Sequence, residues 1–204
     1  NYGMFYNCNA LESLDLTNFI TSNVTNMKYL FYGCQALSSL NLLNFNTSNV
    51  TDMSFMFTNC SLLATLDVSN FNTEKVTTME NMFGGCNKVT SIILSSNFKT
   101  NKVTSMKNMF SNCFELKTLD LSNFDTSNVS DFYNMFLSDK SFAELDLSNF
   151  TIKNGAVVSG MFTLNSASKL SKLKTPTSTN AITMSIVVGN PLVNEDTDEL
   201  MTTV

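Results

Sequence analysis

The sequence predicts an α/β repeat: a right-handed solenoid with a parallel sheet on one face and short helices on the other. Three observations predict it. A Met-Phe-x-x-Cys signature recurs, with unit starts at Met4, Leu30, Met56, Met82, Met109, Met135 and Met161 spaced 26, 26, 26, 27, 26 and 26 residues apart. A fixed period of this size marks stacked units, none of which can bury its apolar faces alone. One half of each unit alternates apolar and polar residues, and the other half carries an apolar stripe at helical spacing.

The strand comes from the first half. In Leu11-Glu12-Ser13-Leu14-Asp15-Leu16, the residues Leu14 and Leu16 point to one face and Asp15 to the other, the two-residue period of a half-exposed strand. The helix comes from the second half. Val24, Met27, Leu30, Phe31 and Cys34 are spaced by three, three, one and three, which places all five on one helical stripe. Thr21-Ser22-Asn23 ahead of the stripe offers side-chain oxygens to the unpaired N–H groups of a helix start. Gly33, Gly84-Gly85, Asn7, Asn59 and Asn112 stand where a left-handed closing residue is wanted. The one extra residue falls at Ser95-Ser96, in the turn after the strand, where an insertion disturbs packing least.

Stacking converts sequence columns into ladders. Equivalent strands lie side by side at roughly 4.8 Å. Phe19, Phe45, Phe71, Phe98, Phe124 and Phe150 become an internal aromatic spine, and the preceding Asn18, Asn44, Asn70, Asn97, Asn123 and Asn149 an amide column that satisfies buried turn backbone. With leucine filling the inward strand positions, the fold class is a leucine-rich-repeat solenoid.

The pattern divides the chain into repeats over 1–162, about seven units with the first truncated, a degenerate last repeat and C-terminal cap over 163–194, and an acidic tail over 195–204. Leu170 and Leu173 suggest a final strand displaced by two residues, and Lys174-Thr175-Pro176 ends the repeat geometry because proline cannot donate within a ladder. The alternation Ile182, Met184, Ile186, Val188 reads as an extended strand reaching a turn at Gly189-Asn190-Pro191. Glu195 to Glu199 reads as solvated chain. The first unit has no comparable cap, so further repeats before Asn1, or a second copy, are expected to cover its edge.

Composition excludes more than it assigns. The chain has no His, no Trp and no Arg, so its 12 basic residues are all Lys, against a net charge of −5. There is no basic stripe to follow a nucleic-acid backbone. Apolar runs are as short as Ile92-Ile93-Leu94, far below the eighteen or so residues of a membrane span. Neither a nucleophile–base pair nor a phosphate loop appears, so the chain reads as a non-enzyme without cofactors.

Four sets of residues are candidate sites. Cys8, Cys34, Cys60, Cys86 and Cys113 occupy one column with Asp139 in the sixth place; their odd number and wide spacing read as small buried side chains rather than disulfides or a metal site. Asp15, Asn41, Asp67, Asp120 and Asp146, interrupted by Ile93, form a ligand-facing column on the strand face; only Asp120 and Asp146 are neighbouring carboxylates, and charge repulsion relieved by neutral residues explains the pattern better than calcium. Tyr6, Tyr29, Tyr32, Phe55, Phe114 and Tyr133 lie on or beside the helix face as possible ligand anchors. The triplets Asn23-Val24-Thr25, Asn49-Val50-Thr51 and Asn128-Val129-Ser130 match a glycosylation acceptor, but their recurrence at a helix start reads as capping.

The run Met-Phe-x-x-Cys-x-x-Leu-x-x-Leu-Asp-Leu-Ser-Asn-Phe-x-Thr-Ser-Asn-Val-Thr, clearest from Met109 to Ser130, resembles the BspA-like leucine-rich repeats of bacterial surface proteins and lipoproteins, including the 26-residue variety of mycoplasma-type surface proteins. The resemblance covers about residues 4–162. It implies an extracellular or cell-surface protein, anchored by segments outside this chain, that adheres to a host or microbial protein or glycan; it carries no catalytic residues over. The alternative is a structural spacer holding another domain off the envelope. Ligand identity and oligomeric state are left open.

Overall fold

The computed structural model describes residues 3–163 and 169–175, together with three two-residue strands at 186–187, 192–193 and 200–201. The 26-residue units form coils stacked in register. One column of isolated parallel bridges runs from Asn26 through Asp52, Thr78, Ser105 and Asp131 to Val157. A second column is made by short strands. β1 (Thr65–Asp67) pairs in parallel with β2 (Ser91–Ile93), setting Leu66 opposite Ile92. β3 (Glu144–Asp146) pairs in parallel with β5 (Lys172–Lys174), setting Leu145 opposite Leu173. That last step is two residues longer than the repeat, as the positions of Leu170 and Leu173 suggest. β4 (Phe162–Thr163) pairs in parallel with β6 (Ile186–Val187). β7 (Leu192–Val193) extends the β3–β5 sheet and pairs antiparallel with β8 (Leu200–Met201), which falls within the stretch expected to be an acidic tail. The rest of the Ile182–Val188 alternation, the turn at 189–191 and the acidic run Glu195–Glu199 lie outside the described residues.

The α/β architecture is corrected. No α-helix occurs among the described residues, so there is no helical face, and the strands of the described coils are two or three residues long. The predicted helical segments are successions of turns. Their backbone explains why: five successive coils hold two left-handed residues four apart, as at Tyr29 (φ 60°) and Gly33 (φ 72°), Phe55 (φ 60°) and Asn59 (φ 60°), Asn81 (φ 53°) and Gly85 (φ 74°), and Asn134 (φ 53°) and Ser138 (φ 63°). A right-handed helix cannot pass through such residues. The hydrogen bonds alternate accordingly. The N–H groups of Tyr29, Phe31 and Gly33 donate to Ser54, Met56 and Thr58 in the next coil, while those of Leu30, Tyr32 and Cys34 donate three residues back. The five-residue stripe still turns inward. Met27, Leu30, Phe31 and Cys34 are buried and Val24 is half-buried.

Two aromatic stacks run through the core. Phe5, Phe31, Phe57, Phe83, Phe110, Phe136 and Phe162 stack without a break at centroid spacings between 5.4 and 5.8 Å. The expected spine is present but divided: Phe19, Phe45 and Phe71 stack at 5.9 and 6.5 Å, and Phe98, Phe124 and Phe150 at 5.9 and 6.3 Å. Its division between Phe71 and Phe98 coincides with the extra residue at Ser95-Ser96. The amide column ties coils together, with the Asn70 and Asn149 side chains each donating to carbonyls of the coil before, Phe45 and Phe124 among them.

A buried threonine column does the same work and was not legible as such. The Thr47 hydroxyl donates to the Asn72 carbonyl at 2.9 Å and accepts the Asn72 N–H at 2.8 Å. Thr21 clamps Asn46, Thr100 clamps Asp125 and Thr126 clamps Thr151 in the same two-way manner. In the next coil the position belongs to the buried Ile152, where the regular pattern stops.

Two outcomes follow from this packing. Phe71 is fully buried, so Phe71→Ala is expected to cost about 3–5 kcal/mol and lower the melting temperature by roughly 10 °C; a near-neutral result in thermal unfolding would refute a packed spine. Thr47→Val keeps the shape but strands two backbone groups of Asn72, an expected loss of about 1–3 kcal/mol in denaturant unfolding, whereas the same change at the exposed Thr51 should be close to silent.

Candidate functional site

The strand-face column closes turns as well as facing solvent. Oδ1 of Asp15, Asn41, Asp67, Asp120 and Asp146 accepts the N–H two residues ahead, from Thr17, Leu43, Ser69, Ser122 and Ser148 respectively. This is the local bond that makes Asp and Asn favoured turn formers. At Asp15, Asp120 and Asp146 the side chain two residues ahead, followed by its N–H, holds the carboxyl below the usual range. All five side chains are exposed. Where Ile93 interrupts the column, the Ser95 hydroxyl accepts the Asn97 N–H at 3.2 Å and closes that turn instead. Two further columns of the same kind, Asn26 and Asp52, and Asn46 and Asn72, brace other corners.

The glycosylation-like triplets have a related role. There is no helix for them to cap. Asn49 and Asn128 donate their side-chain amides to the Ser22 and Asn101 carbonyls of the preceding coil, at 2.9 and 2.7 Å.

The six predicted aromatics are not one surface. The fold gathers four of them: Tyr6 stacks on Tyr32 at 4.9 Å, Tyr29 stacks on Phe55 at 4.9 Å, and edge-on contacts of 5.8 and 5.6 Å join Tyr29 to Tyr6 and Tyr32. All four are half-buried, and the Lys28 ammonium lies 5.2 Å from the Tyr29 ring centre and 5.8 Å from that of Phe55. Phe114 and Tyr133 stand apart, each beside its own lysine, Lys140 and Lys107. Tyr29 and Phe55 share a left-handed column with Asn81, Asn108, Asn134 and Gly160. Asn and Gly tolerate that conformation; a bulky ring there is disfavoured by roughly 1–2 kcal/mol.

The five cysteines are free thiols, four of them buried. Cys34, Cys60, Cys86 and Cys113 each donate to a Phe carbonyl of the preceding coil at 3.2 Å. Burial pushes the Cys86 thiol up to about 12 and raises those of Cys34, Cys60 and Cys113 as well, so these four are not ready nucleophiles. Asp139 continues it with a carboxyl. Oδ1 accepts the Cys113 N–H at 2.8 Å, Oδ2 has no hydrogen-bond partner among the described residues, and burial drives its pKa well above the usual range. The folded chain therefore keeps a proton that the unfolded chain releases near pH 4. With fewer protons bound in the unfolded state, stability falls as pH rises from about 4 toward the raised pKa. Asp139→Cys, which restores the column thiol, is expected to raise the melting temperature by several degrees at pH 7.5 and by less at pH 4.5; parallel pH profiles of the two proteins in thermal melts would refute this role.

Among the described residues no helix is long and apolar enough to cross a membrane. No curated protein and no solved structure matches the chain. A family model does, twice and in overlapping halves, over residues 2–99 and 85–191, as a tandem array of similar coils should. This chain belongs to the family described as Mycoplasma protein of unknown function, DUF285.

Proposed function

We propose that this chain is a non-catalytic interaction module, displayed at the cell surface or secreted, that adheres to a host or microbial protein or glycan. The observation that carries the reading is the cluster of Tyr6, Tyr29, Tyr32 and Phe55. Two of its four rings sit on left-handed backbone where other coils use Asn or Gly, and strain kept at a half-exposed aromatic points to use of the ring rather than to folding. Aromatic rings also dominate binding hot spots. The exposed column Asp15, Asn41, Asp67, Asp120 and Asp146 offers a second, polar surface at regular pitch. A spacer would need neither, and asparagine at both strained positions would serve it as well.

The test is an unbiased array of matrix proteins and glycans, probed with the chain and with a Tyr29→Asn/Phe55→Asn double variant. The variant is expected to fold within about 1 kcal/mol per site of the parent, because relief of backbone strain offsets lost ring contacts, and to lose array binding about tenfold or more, as removal of hot-spot rings does. Equal binding by parent and variant, or a blank array with the parent, would reject adhesion through these rings.

A further inference from the structure

The strand side of the stack is not uniform. β1 and β2 are paired, and β3 and β5 are paired, but between them Ser91 and Thr118 make only an isolated bridge. Among the described residues, no backbone hydrogen bond joins Leu119 or Asp120 to the coil on either side, as is also the case at Leu40 and Asn41. The extra residue at Ser95-Ser96 lies in the same coil. An open groove of about 460 Å³ lies here, lined by Ile93, Leu94, Leu119, Asp120 and Glu144 among others.

Its chemistry differs from the rest of the face. Ile93, 45% exposed, stands where neighbouring coils carry Asp67 and Asp120. Leu94 is half-buried, although its equivalents Leu42, Val68, Leu121 and Leu147 are buried, and Leu119 is half-buried as its equivalents Leu14 and Leu40 are. The floor is therefore apolar. On the rim, Glu144 and Asp146 are already paired with Lys172 and Lys174 at 3.2 and 3.1 Å. Among the described residues no ammonium pairs with Asp120, whose carboxyl is held in the ionised form by Ser122.

We propose that this groove holds an extended peptide segment of a partner protein, presenting a basic side chain to Asp120 and an aliphatic one to Ile93, Leu94 and Leu119. This rests on the reading of the chain as an interaction module and names a part of its strand face and a partner class. An extended strand has the two features the groove asks for: side chains that alternate between floor and rim, and peptide groups that can bond to those of Leu119 and Asp120. A sugar ring would favour an aromatic platform, which the groove lacks. An acidic partner would meet an uncompensated carboxylate.

The experiment is an amide NMR titration of the whole chain with two synthetic pentapeptides, one alternating valine with lysine and the other valine with glutamate. Saturable shifts confined to 91–94, 118–121 and 144–146 are expected with the lysine peptide and not with the glutamate one. Ile93→Ser and Asp120→Asn, both at exposed positions, should each weaken the lysine peptide by about threefold to fivefold without shifting the melting temperature. Equal binding of both peptides, shifts mapping elsewhere, or no saturation would overturn the proposal. Array binding without groove binding would reject the groove alone; groove binding with a blank array would uphold it and reject matrix or glycan adhesion through the rings.

Discussion

Backbone hydrogen bonding between coils is the constraint from which the other features descend. A helix would satisfy its own N–H and C=O groups; here Tyr29, Phe31 and Gly33 instead give their N–H groups to the coil that follows, and only the intervening residues close local turns. Alternation of this kind needs a backbone that reverses hand within each coil, which the paired left-handed residues supply. It also means that no coil is satisfied in isolation, since a buried peptide group without a partner is costly. Neighbouring coils are thus part of each coil's own structure.

Once the pitch is fixed by these bonds, each sequence position meets copies of itself, and residue choice becomes a property of the column. Threonine recurs at Thr21, Thr47, Thr100 and Thr126 because one hydroxyl can both donate to and accept from the next coil's backbone. The left-handed column Asn7, Gly33, Asn59, Gly85 shows the same logic in steric form. A Cβ on Gly33 would collide with Oδ1 of Asn7, and one on Gly85 with Oδ1 of Asn59. Each asparagine side chain fills the space that its glycine neighbour leaves open, which accounts for the alternation of the two residues.

The sequence made the inward residues readable because burial depends on which side faces the core, and Met27, Phe31 and Cys34 face it in a helix or in turns alike. The same spacing predicts a helix that is not there, because intervals of three and four do not distinguish continuous helix from turns that return to the same face. Gly33 and Asn59 announced one left-handed position, and Asn81, Asn108 and Asn134 could have announced the other, but Tyr29 and Phe55 in the same column hid it. Thr21 and Asn49 looked like caps because a cap and an inter-coil clamp need the same side-chain oxygens and amides. In the candidate site, the spacing of Asp15, Asp67, Asp120 and Asp146 placed them on the outside correctly, while their bonds to the residue two ahead depend on a turn geometry that alternation alone does not specify. Which of the six aromatics would meet was not readable, since it depends on lateral contacts between coils.

A repeat supplies its own controls. Where most coils agree at a position, the shared residue reports what folding requires, and a departure reports some other demand. The departures here fall into two kinds. Asp139 points inward, costs stability through an unpartnered buried oxygen, and touches nothing a ligand could reach. Tyr29, Phe55 and Ile93 point outward, the first two at the expense of backbone strain and the third at the expense of an exposed aliphatic side chain. Ring contacts between coils offset the strain at Tyr29 and Phe55 without favouring them over asparagine, and at the third position a carboxylate or amide would close the turn that Ser95 closes instead. On the proposed function, outward departures of this kind are where a partner's requirements, beside those of the stack, bear on the residue.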